Sequence, residues 1–224
     1  MLRKALTFSY DDGVEQDRKL LSILNRYGLK CTFNLNSGIQ VHDTPWYYKD
    51  KVPVYRMNPD GLEALYHGHE IAVHGLKHIN LKEADYQEAE KEITEDQNNL
   101  SSMFHTDICG MAYAFGAYTD DAVQILKRCG IRYARTTQVT HSFDLECDML
   151  RYRSTCHHAD ADLFTLGEQF LALTPDKPQV FYVWGHSYEF DVDDGWERIE
   201  RFCQMMSGKS DILYGTNREV FSAF

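Results

Sequence analysis

No apolar run in this chain approaches the roughly 20 residues that a bilayer-spanning helix requires, so a membrane is not an expected partner. Basic charge is also scarce. Lys and Arg number 23 against 34 Asp and Glu, a formal charge of -11, which disfavours phosphate backbones and anionic lipid and makes nucleic acid a poor partner as well. No Gly-rich phosphate fingerprint follows any expected strand, so a nucleotide-binding Rossmann domain fits poorly. Six cysteines are present (Cys31, Cys109, Cys129, Cys147, Cys156 and Cys203), but none has Cys-x-x-Cys spacing. That argues against a thiolate metal site and leaves buried, reduced thiols as the expectation. Only Met1 to Arg3 precede the first expected strand, too little for a secretion leader, and a cytoplasmic location is therefore expected.

The 224 residues, 43% of them hydrophobic, suffice for one substantial core and are expected to form a single domain over 1–224. Periodicity alternates along the chain. Strands are expected at Lys4–Ser9, Lys30–Leu35, Glu70–Val73, Ile108–Phe115, Ile131–Ala134, near Met149–Arg153, at Gln179–Trp184 and at Asp211–Tyr214. Helices are expected between them, at Glu15–Tyr27, Pro59–Tyr66, Asp85–Met103, Asp120–Cys129, Ala159–Leu173 and Gly195–Met206, with a short helical tail. Six or seven such β/α units fit a closed or nearly closed parallel barrel. The stretch from Asn36 to Met57 has no strong period but is rich in aromatics, and could hold a hairpin with Tyr47, Tyr48, Val52 and Val54 on its arms.

The stretch around which the rest is organised is Thr7-Phe8-Ser9-Tyr10-Asp11-Asp12-Gly13. Its two adjacent carboxylates lie at the C-terminal end of the first strand, where parallel α/β folds place their chemistry. Held in one crevice, they repel unless a cation absorbs the charge. The same tripeptide recurs at Asp193-Asp194-Gly195, ahead of a helix, where capping accounts for it. Beyond the third strand come His74 and His78, spaced so that two imidazoles can turn toward one ion, and His186 follows the strong apolar strand near the end. A carboxylate with two neutral imidazoles suits a divalent borderline ion, zinc first, with cobalt, nickel or iron as alternatives, and leaves positions open for water and substrate. His157 and His158 are expected in a solvated turn at a helix entry.

These motifs resemble those of the polysaccharide deacetylases, the NodB-homology domain of carbohydrate esterase family four. The acidic turn is similar to that family's TFDDG motif, with two residues between Phe8 and Asp11 where the shorter form has none. His74 and His78 match its His-x-x-x-His, Ala112-Tyr113-Ala114-Phe115-Gly116 its third motif, and Val183-Trp184-Gly185-His186-Ser187-Tyr188 its last. The resemblance implies a distorted parallel (β/α) barrel of about seven strands. It implies Asp11 as base, Asp12, His74 and His78 as metal ligands, and His186 as the acid that protonates the departing amine. Phe115, through its backbone N–H, would hold the oxyanion, with Tyr113 and Tyr188 beside the substrate. The implied activity is metal-dependent hydrolysis of the acetyl group from an N-acetylated sugar or related amide, with a small-molecule or oligosaccharide substrate. A small non-sugar amide, an O-acetyl ester and a non-catalytic carbohydrate-binding relative are the alternatives. Two departures stand out. Ala112 occupies the place of an Arg that orients the base in many members, leaving Arg135 or Arg153 as substitutes. The Asp-Trp pair that tunes the acid has no copy, Asp144 being a candidate without its Trp.

Overall fold

The computed structural model describes residues 2–39 and 42–224. Strand β1 (Lys4–Asp11) is buried along its whole length, as expected of a parallel strand covered on both faces. Helix α1 (Asp17–Arg26) returns the chain, burying Leu20, Leu21, Ile23 and Leu24, and Gly28 at φ 64 supplies the left-handed turn into β2 (Cys31–Leu35). A hairpin of β3 (Trp46–Tyr48) and β4 (Val52–Val54) follows, pairing Trp46 with Val54 and Tyr48 with Val52. Next come α2 (Leu62–Leu65), β5 (Glu70–Val73), α3 (Tyr86–Phe104), β6 (Gly110–Ala112), α4 (Asp120–Arg128) and β7 (Tyr133–Val139). The chain ends with β8 (Tyr152–Ser154), β9 (Cys156–His157), α5 (Leu163–Ala172), β10 (Gln179–Gly185), α6 (Gly195–Met206), β11 (Ile212–Tyr214) and α7 (Asn217–Ala223).

The main sheet runs β8-β7-β6-β5-β2-β1-β10-β9, with β11 beside the first half of β1, and its pairings are parallel. Its two end strands are consecutive in the chain, separated by Thr155 alone. One segment thus pairs with β7 through β8 and with β10 through β9, so the sheet curls round on itself as a distorted α/β barrel. Aromatic side chains pack the outer helices onto the sheet, Phe202 of α6 lying edge-on against Phe8 of β1 and Phe181 of β10.

Several elements differ from expectation for identifiable reasons. The strand expected over Ile108–Phe115 stops at Ala112 because the chain turns over the rim, with Phe115 left-handed at φ 59. Strand β7 runs on to Val139, carried by a register shift against β8 between Arg135 and Val139. Asp194 stands before α6 but makes no side-chain cap, and both it and Asp193 are left-handed, so backbone turning rather than capping explains the second Asp-Asp-Gly. Cys147 is exposed, unlike the buried Cys31, Cys109, Cys156 and Cys203. Among the described residues no helix is long and apolar enough to cross a membrane.

Candidate active site

Register decides what meets at the C-terminal rim. Tyr10 of β1 pairs with Gly185 of β10, so Asp11 and Asp12 leave their strand beside His186. Leu35 of β2 pairs with Val73 of β5, which delivers His74 to the same rim, and Gly75 at φ 88 with His78 at φ 58 turns the loop so that the second imidazole returns. Ala112 of β6 pairs with Arg135 of β7.

Asp12 Oδ1 stands 3.6 Å from His78 Nε2 and 3.9 Å from His74 Nε2. The His74 ring is fixed by donation from Nδ1 to the Ala112 carbonyl at 2.8 Å, so the Nε2 lone pair faces the carboxylate. Burial keeps His74 neutral, and burial together with the neighbouring His74 pulls His78 down to about 4. Asp12 Oδ1 and His74 Nε2 are both shut off from solvent and make no hydrogen bond, although Arg56 Nη2 lies 3.1 Å from the former as an ion pair. Buried polar atoms left without partners call for an unseen one. Donors about 2 Å from a tetrahedral ion lie roughly 3.3 Å apart, so each histidine nitrogen need close on Asp12 Oδ1 by only a fraction of an ångström for the three to hold a divalent cation. Their chemistry, one carboxylate oxygen and two imidazole nitrogens, fits such an ion.

Asp11 is held differently. Arg135 Nη2 reaches both of its oxygens, at 2.6 and 2.5 Å, and Asn34 donates to Oδ1 at 2.8 Å. Burial would raise its pKa, but the guanidinium and then His74 and His186 outweigh that and bring it down to about 2, so the carboxylate is ionised. The guanidinium stacks over Trp184, 4.3 Å from the ring centre. Arg135 therefore anchors Asp11 from the strand next to Ala112, while Arg153 is on the surface with Glu146.

His186 Nε2 completes the rim, 3.8 Å from Asp11 Oδ2 and 3.9 Å from Asp12 Oδ2. Burial opposes its protonation, but Glu189 and the two aspartates prevail and raise its pKa to about 9. Tyr188 lies beside it, ring centres 5.2 Å apart, and packs edge-on against Trp46 and Tyr48 of the hairpin. Phe115 is 64% exposed at the rim, its ring 4.6 Å from that of His78. The Tyr113 side chain is not part of this constellation. It is buried and donates to the Leu150 carbonyl at 2.8 Å.

The second histidine pair departs from its expected solvated turn. His158 is buried between Tyr10 and Phe190, and His157 and His158 Nε2 lie 3.1 and 3.2 Å from Glu189 Oε2. Asp144 is on the surface with Lys177 and Gln179, far from any tuning role. Sequence reasoning passed over Glu189, Asn34 and Arg56. For Glu189 a signal existed: it lies three residues after His186 at the head of a 3₁₀ turn over Ser187–Asp191, where positions three apart share a face.

Puue allantoinase aligns with a TM-score of 0.70 at 12% identity, over 98% of this chain and 89% of that one. A family 4 carbohydrate esterase from Streptomyces lividans, in complex with acetate, aligns at 0.63 with 15% identity, over 96% and 93%. At such identities the likeness is one of fold. In sequence, the Bacillus subtilis (strain 168) protein named "Putative polysaccharide deacetylase YxkH" is 23% identical over 137 residues, which is 60% of this chain and 45% of that protein, so the match spans less than half the relative's length. The profile of the family described as polysaccharide deacetylase matches residues 1–134, the part that holds the acidic turn, the histidine pair and the third motif, and the chain belongs to that family.

Proposed function

We propose that the protein is a metal-dependent hydrolase that removes the acetyl group from an N-acetylated sugar or related amide, with zinc the first choice of metal. The observation that carries this reading is the meeting of Asp12 Oδ1 and His74 Nε2, both buried without a hydrogen bond, with His78, next to a second carboxylate that needs no metal to be satisfied. Asp12, His74 and His78 would hold the ion. When bound, it supplies Lewis acidity, lowering the pKa of a water toward neutrality and polarising the acyl carbonyl.

The chain's own groups do the rest. Asp11, fixed by Arg135 and Asn34, takes the proton of the attacking water. The Phe115 backbone N–H stabilises the oxyanion from the same rim. His186 Nε2 gives its proton to the departing amine, without which an amide nitrogen leaves poorly. Acetate and a free amine result. A cavity beside Asp12, with Leu35, Met57 and Leu62 in its wall and Arg56 at its edge, offers an apolar recess for the acyl methyl.

A second reading keeps the site but changes the substrate to a small non-sugar amide or an O-acetyl ester. It is favoured by the packing of Trp46 and Tyr48 on Tyr188 beside His186, which walls one side of the mouth with aromatic rings. Acetate release from a panel of N-acetylated sugars, simple amides and acetate esters separates the two. In the same assay Asp11→Asn should abolish turnover while zinc stays bound. Unchanged turnover by that variant would remove Asp11 from the role of base.

A further inference from the structure

We infer that Glu92 and Asp96, buried acids one turn apart on α3, are positioning residues that hold the loop from His74 to His78 in its metal-binding shape. The inference rests on the deacetylase reading for what the loop carries, but not for how the loop is held.

Strand β5 ends at Val73, so the backbone groups that follow it must find partners outside the sheet. Asp96 takes the His74 N–H on Oδ2 at 3.1 Å and the Ser37 N–H on Oδ1 at 2.7 Å. One carboxylate thus ties the first histidine to the chain that leaves β2. Glu92 takes two consecutive amides, the Leu76 N–H on its main-chain carbonyl at 3.0 Å and the Lys77 N–H on Oε2 at 2.8 Å. Lys77 immediately precedes the second histidine. The other side of the loop is held by its carbonyls. Asn36 Nδ2 donates to those of His74 and Gly75 at 2.9 and 2.7 Å, and the Gly38 N–H to that of Leu76 at 2.8 Å.

The packing of α3 does not by itself call for these acids. Glu92 and Asp96 are 4% and 0% exposed, on the face that otherwise buries Ala89, Ile93, Leu100 and Phe104. Like charges four residues apart on a helix repel, and burial penalises each of them. Apolar side chains would pack that face at no such cost. What offsets it is the set of amides from the loop and from Ser37, since hydrogen bonds to the charged form favour a buried carboxylate. Gly75 lets the helix come this close: its φ is 88, and a Cβ there would stand 3.3 Å from Glu92 Oε2. The two acids therefore fix where the backbone of His74 and of Lys77 lies, and with it the direction in which each imidazole leaves the loop.

The test is zinc affinity of the full-length protein, measured by chelator competition at pH 8, above the value of about 7 to which burial lifts Asp96. Asp96→Asn keeps the shape but turns a donor toward one of the two amides, and should weaken zinc binding by about 10–100-fold. Glu92→Ala should do the same. Glu92→Gln, which retains an acceptor for the Lys77 N–H, should stay within about threefold of wild type. Glu70 is the control, a buried acid at the far end of β5 that accepts from Thr32 Oγ1 at 2.8 Å; Glu70→Gln should lose stability in urea and keep its zinc affinity. Equal zinc losses in Glu70→Gln and Asp96→Asn, or wild-type affinity in both Asp96→Asn and Glu92→Ala, would overturn the inference. Should Asp96→Asn fold poorly, Glu92→Ala against Glu92→Gln gives the same contrast. Amide hydrogen exchange on zinc-free wild type separates this inference from the functional reading. Rapid exchange at Ser37 and Lys77 overturns the hold on the loop however tightly zinc binds, whereas protected amides in a protein that binds no zinc support that hold and remove the deacetylase reading alone.

Discussion

Replacing Arg135 by Met is the sharpest test of how the acidic pair is tolerated. Arg135 and Asp11 are 1% and 3% exposed, so the substitution strands a carboxylate in the interior. Breaking a buried pair by removing one partner costs about 3–5 kcal/mol. Met keeps an unbranched apolar stem but loses the guanidinium's stacking on Trp184, a packing loss that does not change with pH, whereas the electrostatic part must depend on pH. In the wild type the folded-state pKa of Asp11 is depressed from 3.8 to about 2. Its contribution is therefore fully present above about pH 4 and is lost as pH falls toward 2. In Arg135→Met burial becomes the dominant influence and lifts the folded pKa above 3.8, so the variant instead loses stability as pH rises from 4. The deficit relative to wild type should be widest near neutrality and shrink toward pH 4. Urea unfolding of metal-free protein between pH 4 and 8 measures it. A deficit that is constant across this range would mean that the guanidinium acts through packing, and the electrostatic account of Asp11 would be wrong.

The surface arginine provides the contrast. Arg153 is 48% exposed beside Glu146, so Arg153→Met should change stability by no more than about 0.5 kcal/mol and leave acetate release intact; a large loss of activity would return the anchoring of the base to Arg153. Asp17 offers a second pH signature. It is buried, accepts from Ser187 Oγ at 2.5 Å and Tyr66 Oη at 2.7 Å, and is raised by burial to about 7. Because its folded pKa exceeds the unfolded value, it costs stability progressively as pH rises from about 4 to about 7, by at most roughly 4 kcal/mol. Asp17→Asn should remove that slope and be the more stable protein at pH 8; parallel stability profiles for the two at pH 5 and 8 would contradict the shift.

Much of the architecture was legible in local patterns. The β10 run is a nearly continuous apolar stretch and β1 a short run rich in β-formers, and the end of Glu70–Val73 was readable because polar histidines follow a short β-branched run. Boundaries were poorer where tertiary contacts decide them. The strand before Phe115 ends early because the chain must turn over the rim, and β7 runs past Ala134 because β8 is there to pair with it. The hairpin of Trp46–Tyr48 with Val52–Val54 was readable as an option, since alternation in so short a segment competes with loop composition. His158 was misplaced for a related reason: a histidine in a polar stretch reads as solvated, and its burial against Tyr10 and Phe190 depends on residues far away in the chain.

The sequence by itself determined the alternation of elements, the apolar strands of the barrel and the short-range motifs at Asp11-Asp12 and His74-x-x-x-His78, because those features are written in neighbouring residues and in turns that fix direction within a few bonds. Only the tertiary structure decided that Arg135 rather than Arg153 meets Asp11, that Tyr113 turns away from the rim, and that Glu189 gathers His157, His158 and His186. Each of those outcomes depends on strand register, the pairing of Ala112 with Arg135 and of Trp184 with His157. Register is fixed by the fit of side chains across the whole barrel, and a shift of one residue turns a guanidinium from the interior to the outside.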